Sequence, residues 1–461
     1  MTVFDDGSGS RKKELDAIDQ LFDRLFPICR SIMGEGLRQT LTILGEYLPL
    51  ERFGIPSGTQ VLDWTIPQEW IVRGGVLKGP EGQVIADFEE SNLHIVNYSQ
   101  PVNQTLSLEE LEPNLYSIPR LPKAIPYVIS YYRKRWGFCI PQTVRDALPE
   151  GQYHAFIDTD FIDGELNFSH SLLAGSTEKE IMISSYVCHP SMANNELSGP
   201  LVATFLYRRL ANKPSRRFTY RFVFTPETIG SISYLSMFGE ELMKRLHAGL
   251  VLTCMGGDRD LSYKQSRREN TPLDLMWAHL LKWNEICGET RAFTPVHGSD
   301  ERQYCSPGFN LPVGQLSRTV YGTNEEYHNS FDTKEFMTID ALQASVDGLE
   351  KLLDAIEWDG YYVNRSPYGE IKLDRHGLYP DLNAPEIIGK YSANGLMDQR
   401  TQLSRILIIL NYSDGQYSMR EIAEKCGCSI LALIPIIELL LNKEILSGPF
   451  EDKQLMAPLH P

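Results

Sequence analysis

His189 closes an apolar run, and amide and acid side chains follow it closely in Ser185-Tyr-Val-Cys-His189-Pro-Ser-Met-Ala-Asn-Asn195-Glu196-Leu-Ser198-Gly199. Imidazole and carboxylate groups gathered at one strand end are the materials of a metal site or of acid–base catalysis. The run 180–187 is short and β-rich, of the kind buried on both faces of a parallel sheet. The stretch 199–210 is helical in period, so the ligands come from a loop at the carboxyl end of a strand, where open α/β sheets place their sites. Three further segments repeat this arrangement. A strand over 220–225 runs into Pro226-Glu227-Thr228-Ile-Gly230-Ser231, which puts one carboxylate at a strand end. An acid near a helix N-terminus is also favoured by the dipole alone. The run 249–254 ends in Met255-Gly256-Gly257, whose glycines permit close backbone approach. Tyr327-His328-Asn-Ser-Phe-Asp332 supplies a second histidine.

The order of these motifs, with Gly298-Ser299-Asp300 and Tyr327-His328 as the late ones, resembles the zinc exopeptidases of the bacterial leucyl aminopeptidase and glutaminyl cyclase type. Cys188-His-Pro-Ser-Met-Ala-Asn-Asn-Glu-Leu-Ser-Gly199, Pro226-Glu-Thr-Ile-Gly-Ser231 and Gly298-Ser-Asp-Glu-Arg-Gln-Tyr304 are closer still to a bacterial family of polysaccharide biosynthesis proteins with an aminopeptidase-like domain. That likeness runs over nearly the whole chain. It implies an α/β fold: a zinc-exopeptidase-like mixed sheet flanked by helices, with an inserted small β domain and a C-terminal winged-helix domain. His189, Glu227 and His328 match the aminopeptidase pattern. The place of the aspartate that bridges two zinc ions is held by Asn195, the second residue of the Glu-Glu pair is Thr228, the next metal-binding aspartate falls at or beside Cys254, and the aspartate two residues after the first histidine is Ser191.

A catalytic zinc needs about three protein ligands and an open position. His189 and His328 supply two, and Glu196, beside the altered position, is the expected third, which gives zinc at one ion per chain. Glu227 is the expected general base toward the bound water. Asn195, Asp300, Glu301, Arg302 and Tyr327 are expected to contact substrate, the three charges reading an amine and a carboxylate, although a solvated loop carries such charges too. His94, on an expected strand over 94–98, and His170 read as core or surface groups, and His297 lies nearer the expected pocket. The function implied is metal-dependent hydrolysis of an amide bond, aminopeptidase-like or amidase, in glycan or specialised metabolite biosynthesis. A catalytically idle aminopeptidase-fold protein that binds a small molecule or protein partner is the alternative, and a DNA-linked sensor is a third reading. Nothing in the residues separates a peptide substrate from an acylated sugar.

At 461 residues the chain has room for two or three domains. A net charge of -16 argues against nucleic acid and anionic lipid as partners. The opening Met1-Thr-Val-Phe-Asp-Asp-Gly-Ser-Gly-Ser10 lacks the pattern of a signal peptide, and no run approaches the roughly 20 apolar residues that cross a bilayer. The eight cysteines are scattered, and Cys426-Gly-Cys428 is too tight for ordinary disulfide geometry, so a reducing cytoplasm is the expected compartment.

Residues 12–32 and 37–48 read as helices, and short β runs with Gly and Pro turns over 57–119 read as a small β domain, which the family resemblance implies is inserted. Residues 1–56 and 120–380 are assigned to the aminopeptidase-like domain, closed by an amphipathic helix over 338–358. The aromatic segment Tyr131-Tyr132-Arg-Lys-Arg-Trp136-Gly-Phe138 is a candidate cleft wall. Residues 381–461 read as winged-helix-like: a helix over 397–412, a capping box at Ser418 and Glu421, and a helix over 430–441. From 397 to the end there are six bases against eight acids, and 430–441 holds no Lys or Arg. A groove reader needs cations for phosphates and base edges, so this module is expected to pack or to build a homo-oligomer.

Overall fold

The computed structural model describes residues 8–378 and 399–455. The chain divides into two compact units, one on Met1–Asp274 and Gly288–Glu350, the other on Leu275–Cys287 and Lys351–Pro461.

The first unit is built on an eight-stranded sheet of β1 (Glu51–Pro56), β2 (Glu165–Leu173), β3 (Glu180–Tyr186), β4 (Thr219–Thr225), β5 (Leu246–Leu252), β6 (Leu261–Lys264), β7 (Gly288–Arg291) and β8 (Val313–Ser317), in the spatial order β1-β2-β4-β3-β5-β8-β6-β7. Strands β4, β3, β5 and β8 run parallel, while β2 and β6 flank them antiparallel. Every residue of β3 and β8 is buried, as the apolar runs demand when helices cover both faces of a parallel sheet.

Two helices, α1 (Ser8–Leu25) and α2 (Glu35–Leu44), precede the sheet; α3 (Ser198–Ala211) follows β3, α4 (Ile229–Arg245) follows β4, and α5 (Ile339–Trp358) comes after β8. A π-helical turn at Ala193–Leu197 leads into α3. A Cβ at Gly199 would lie 2.2 Å from Ser185 Oγ and 2.5 Å from Leu252 O, so only glycine lets α3 begin against β3 and β5.

Several expected boundaries move. The first helix ends at Leu25 and not at 32, because Pro27 disfavours helical backbone at the residue before it. This leaves Arg30 on an irregular segment. The expected strand 94–98 is a 3-10 turn at Asn92–His94 followed by isolated bridges from Ile95 to Phe138 and from Asn97 to Ile129. The small β region does not close at 119. Its four-stranded sheet runs Val84–Asp87, Glu69–Lys78, Gln152–Ile162, Val102–Ser107, and Gln152–Ile162 pairs with both neighbours from outside the expected insert. A separate hairpin joins Gln60–Val61 to Trp64–Thr65.

In the second unit, Tyr361–Asn364 is the central strand of a three-stranded sheet with Asp414–Ser418 and Leu446–Phe450, so the winged-helix module begins before 381. Its helices are α6 (Gln399–Tyr412), α7 (Met419–Cys426) and α8 (Ile434–Asn442). The expected start of the first of these at 397 lies outside the described residues. Ser418 and Glu421 form the expected capping box. Lys425, one of the few bases of the module, sits 4.3 Å from the Tyr412 ring centroid and 4.7 Å from that of Tyr417. No helix among the described residues is long and apolar enough to cross a membrane. With an acidic module and an uncharged 430–441 stretch apart from Glu438, duplex DNA should show no salt-sensitive shift with the purified protein in a gel assay at low ionic strength; a tight, salt-dependent complex would refute this.

Candidate active site

Strands β3 and β4 pair in parallel through Tyr186 and Thr225, and the chain leaves both at the same sheet edge. His189 comes three residues after the first, Glu227 two residues after the second. They meet at a cavity of about 210 Å³ lined on one side by Cys188, His189, Glu227, Thr228 and His328, and on the other by Ile32, Trp64, Tyr127, Ile129, Tyr131 and Tyr132. His189 Nε2 lies 3.9 Å from Glu227 Oε2. The rings of His189 and His328 are 5.6 Å apart, centroid to centroid. Tyr327 stacks on His328 at 3.9 Å and 12°, while Tyr127 meets the same ring edge-on at 5.3 Å. Ser299 Oγ donates to Glu227 Oε1 at 2.6 Å, which leaves Oε2 as the oxygen toward His189.

Glu196 is not on this side. Its Oε2 lies 3.0 Å from His189 Nδ1, and its Oε1 lies 3.2 Å from Arg30 Nε. Both Arg30 and Glu196 are fully buried. Cys188 Sγ, His189 and Glu196 bring donor atoms within 4.8 Å of one another, but a dication there would face the Arg30 guanidinium, and burial pushes the Cys188 thiol well above its ordinary range. The expected third ligand, Glu196, stands behind His189 at Nδ1 and is not among the residues that line the cavity. The donors that face the cavity are His189 Nε2, His328 and Glu227. Two imidazoles with a carboxylate beside them, 3.9 Å from His189 Nε2, are chemically suited to a zinc ion and its bound water.

Burial, with the charge of His189 added, pushes His328 down to about 3, so this ring is neutral and keeps a lone pair. Burial also opposes a charge on His189, but the hydrogen bond it donates to Glu196, the charge of Glu196 and that of Glu227 outweigh it and raise the ring. Backbone strain clusters here as well. Ser191, Thr228, Cys254 and His328 have φ of 46°, 65°, 51° and 58°, left-handed values that non-glycine residues hold only where the surroundings enforce them.

The remaining expected contacts are mostly structural. Asp300 is buried; its Oδ1 accepts from Thr228 N at 2.7 Å and Ser231 Oγ at 2.9 Å. Glu301 accepts from Lys264 Nζ at 2.8 Å and from Ser299 N at 2.9 Å. Neither is among the residues that line the cavity, and their contacts support the Ser299 loop. Gly298, at φ 157°, permits that loop, since a Cβ would fall 1.9 Å from Glu301 Oε1. Arg302 is half-buried, bonds Ser299 O at 3.2 Å and also lies off the cavity lining. Asn195 is buried, with Oδ1 3.6 Å from Cys254 Sγ, its backbone N–H on Asp332 and its Nδ2 without a partner among the described residues. Tyr327 acts on the cavity only by backing His328. His94 bonds Cys139 O, His170 bonds Tyr234, and His297 is exposed, none of them lining the cavity. The aromatic segment contributes Tyr131 and Tyr132 as expected of a wall, while Trp64 and Tyr127 were not anticipated. Arg30 was missed too, and its one signal was a lone cation inside the apolar stretch Ile28-Cys-Arg30-Ser-Ile-Met33.

Burial and the neighbouring Glu227 charge push Asp300 up to about 8, against smaller opposing hydrogen bonds from Thr228 and Ser231. A carboxyl raised from an ordinary value of about 4 makes the folded state hold its proton more tightly, so its contribution to stability falls as pH rises from about 4 to 8. Asp300→Asn keeps an acceptor oxygen for Thr228 and Ser231 and loses that dependence. Melting temperatures should show the variant gaining on the wild type between about pH 5 and pH 8, by roughly 2 °C or more; a constant difference across that range would contradict it.

Residues 19–359 match the family described as Domain of unknown function (DUF4910), and residues 360–448 match winged helix-turn-helix domains. A Clostridium acetobutylicum protein named for polysaccharide biosynthesis with an aminopeptidase-like domain is 38% identical over 432 residues, 93% of this chain and 95% of that one. A crystal structure from Clostridium acetobutylicum, described provisionally as a peptidase, matches with a TM-score of 0.85 at 35% identity, over 96% of this chain and 99% of that chain. A zinc aminopeptidase from Bacillus subtilis matches with a TM-score of 0.53 at 13% identity, over 74% of this chain and 94% of that chain, which shows a common fold alone. With the large mixed sheet, the strand-end motifs and the C-terminal module in place, this chain belongs to the DUF4910 family of proteins with an aminopeptidase-like domain and carries a winged helix behind it.

Proposed function

We propose that the protein is a metal-dependent hydrolase of an amide bond with zinc, one ion per chain, as its cofactor. The observation that carries the reading is that His189, Glu227 and His328, from three separate segments, line one cavity. His189 and His328 would hold the ion with Glu227 alongside. When bound, zinc supplies polarisation of the amide carbonyl and a water acidified to a pKa near 7. Glu227 Oε2 takes the proton of the attacking water and delivers it to the departing nitrogen, while Ser299 holds Oε1 and so fixes which oxygen does this. The Tyr127, Tyr131 and Tyr132 rings exclude water and face the group next to the amide. Among the described residues no Lys or Arg lines the cavity, which favours an uncharged or cationic group there over a carboxylate. The relative named for polysaccharide biosynthesis supports an acylated sugar or amino-acid conjugate of glycan metabolism as the substrate class.

A second reading, an idle fold that binds a small molecule or protein partner, draws on Asn195 and Cys254. They stand where the aminopeptidase pattern has acids, and they touch each other at 3.6 Å. Metal content separates the two. Elemental analysis after zinc repletion should give about one zinc per chain, and His328→Ala should lose it; no zinc in the repleted wild type favours the idle fold, and full zinc in His328→Ala removes that histidine from the donor set.

Glu227→Gln keeps a neutral oxygen in place and removes the proton acceptor. Hydrolysis across a panel of aminoacyl and N-acyl sugar amides should fall by at least about 100-fold while most of the zinc stays. Loss of the metal along with activity would make Glu227 principally a ligand, and unchanged activity would exclude it as the base.

A further inference from the structure

We infer that Arg30 and Glu196 form a positioning pair that fixes the tautomer and ring orientation of His189, so that its Nε2 lone pair faces the cavity. The inference rests on the metal-site reading above and adds two residues that touch neither the cavity nor a substrate. A neutral imidazole carries one N–H, and an ionised carboxylate can only accept, so Glu196 Oε2 at 3.0 Å places the proton on Nδ1. Cys188 Sγ, 3.3 Å from the same nitrogen, is the weaker acceptor. A histidine that ligates a metal commonly donates its other ring N–H in this way.

A buried carboxylate is costly unless a charge answers it. Arg30 answers it at 3.2 Å, although its Nε–H is aimed elsewhere, at His189 O, 2.9 Å away. Its Nη1 donates to Leu25 O at the end of α1 at 2.6 Å. Arg30 therefore grips His189 twice, at the main-chain carbonyl and, through Glu196, at the ring. The π-helical turn at Ala193–Leu197 is what returns Glu196 to His189, and Asp332 pins that turn by accepting from Asn194 N at 2.7 Å and Asn195 N at 2.8 Å. Among the described residues Arg30 Nη2 and Glu196 Oε1 have no hydrogen-bond partner, so apart from Leu25 O the pair's contacts are to each other and to His189. A buried ion pair kept for stability alone is replaceable by apolar groups of similar volume without loss.

That last point supplies the test. The full chain is labelled with 15N-histidine, His189 is assigned through His189→Gln, and the metal-free protein is recorded at a pH where the ring is neutral. The wild type should carry the proton on Nδ1. The double variant Arg30→Met with Glu196→Leu removes both charges together. It should keep the fold by circular dichroism, lose the Nδ1–H preference, and bind zinc about 10–100-fold more weakly in competition with a chelator. Glu196→Gln, whose carbonyl still accepts, should keep the Nδ1–H form. A wild-type neutral ring protonated on Nε2, or a double variant unchanged in both tautomer and zinc affinity, overturns the inference. Should the double variant fail to fold, the wild type and Glu196→Gln decide it: Nδ1–H in both supports it, and Nε2–H in the wild type overturns it. If the wild type takes no zinc, the metal reading fails while the tautomer still judges the pair.

Discussion

The parallel register of β3 and β4 is the constraint from which the site follows. Tyr186 opposite Thr225 means that both strands end together, and whatever follows them emerges side by side. His189 and Glu227 are thereby brought to 3.9 Å without either loop reaching toward the other. Parallel pairing needs a crossover between the strands, and α3 is that crossover, seated against β3 and β5 because Gly199 has no side chain. The helix that connects the strands is thus the one whose entry turn carries Asn195 and Glu196. Fold and site are set by one connection.

Charge decides what each acid near this edge does. Glu196 is answered by Arg30 and Glu301 by Lys264, both pairs fully buried or nearly so. Among the described residues Asp300 has no cation in ion-pair contact and satisfies one oxygen on Thr228 and Ser231, so burial raises it. Glu227 is different. Among the described residues His189 is the one basic side chain within ion-pair distance of it, and its side chain keeps 30% of its exposure. An acid without a fixed counter-charge, open to the cavity, is the one whose charge remains available to a ligand or a proton.

Much of the fold could be read from the sequence because its signals are local. The buried strands β3 and β4 are apolar runs, α5 has its apolar positions at helical spacing, and the Ser418–Glu421 capping box is two residues three apart. The site was read where it depended on strand ends, hence His189, Glu227 and His328. It was misread where the deciding partner is remote. Asp300 and Glu301 look like a solvated acidic loop until Lys264 is brought beside them, and Glu196 looks like a free ligand until Arg30 arrives from the far side of the small β region. The strand expected over 94–98 failed for the same reason, since its alternation is satisfied by single bridges to Phe138 and Ile129 and not by a ladder. Gln152–Ile162 belongs to the small sheet only through pairing with strands far earlier in the chain.

The balance of charge also limits how many ions the cavity can take. Two dications held a few ångströms apart repel strongly in a low-dielectric site and need several anionic ligands to offset that repulsion. Here the residues that replace the pattern's acids, Asn195, Thr228 and Cys254, are uncharged, and burial pushes the Cys254 thiol up to about 12, so it adds no anion near neutral pH. Glu196 is spent on Arg30 and His189. One carboxylate and two histidines are what remain facing the cavity, and that set holds too little negative charge to offset a second dication. Thr228, held at a φ of 65° beside Glu227, keeps the left-handed backbone at this position although its own side chain brings no charge. The left-handed backbone at Ser191, Thr228, Cys254 and His328 thus surrounds a donor set with a single carboxylate.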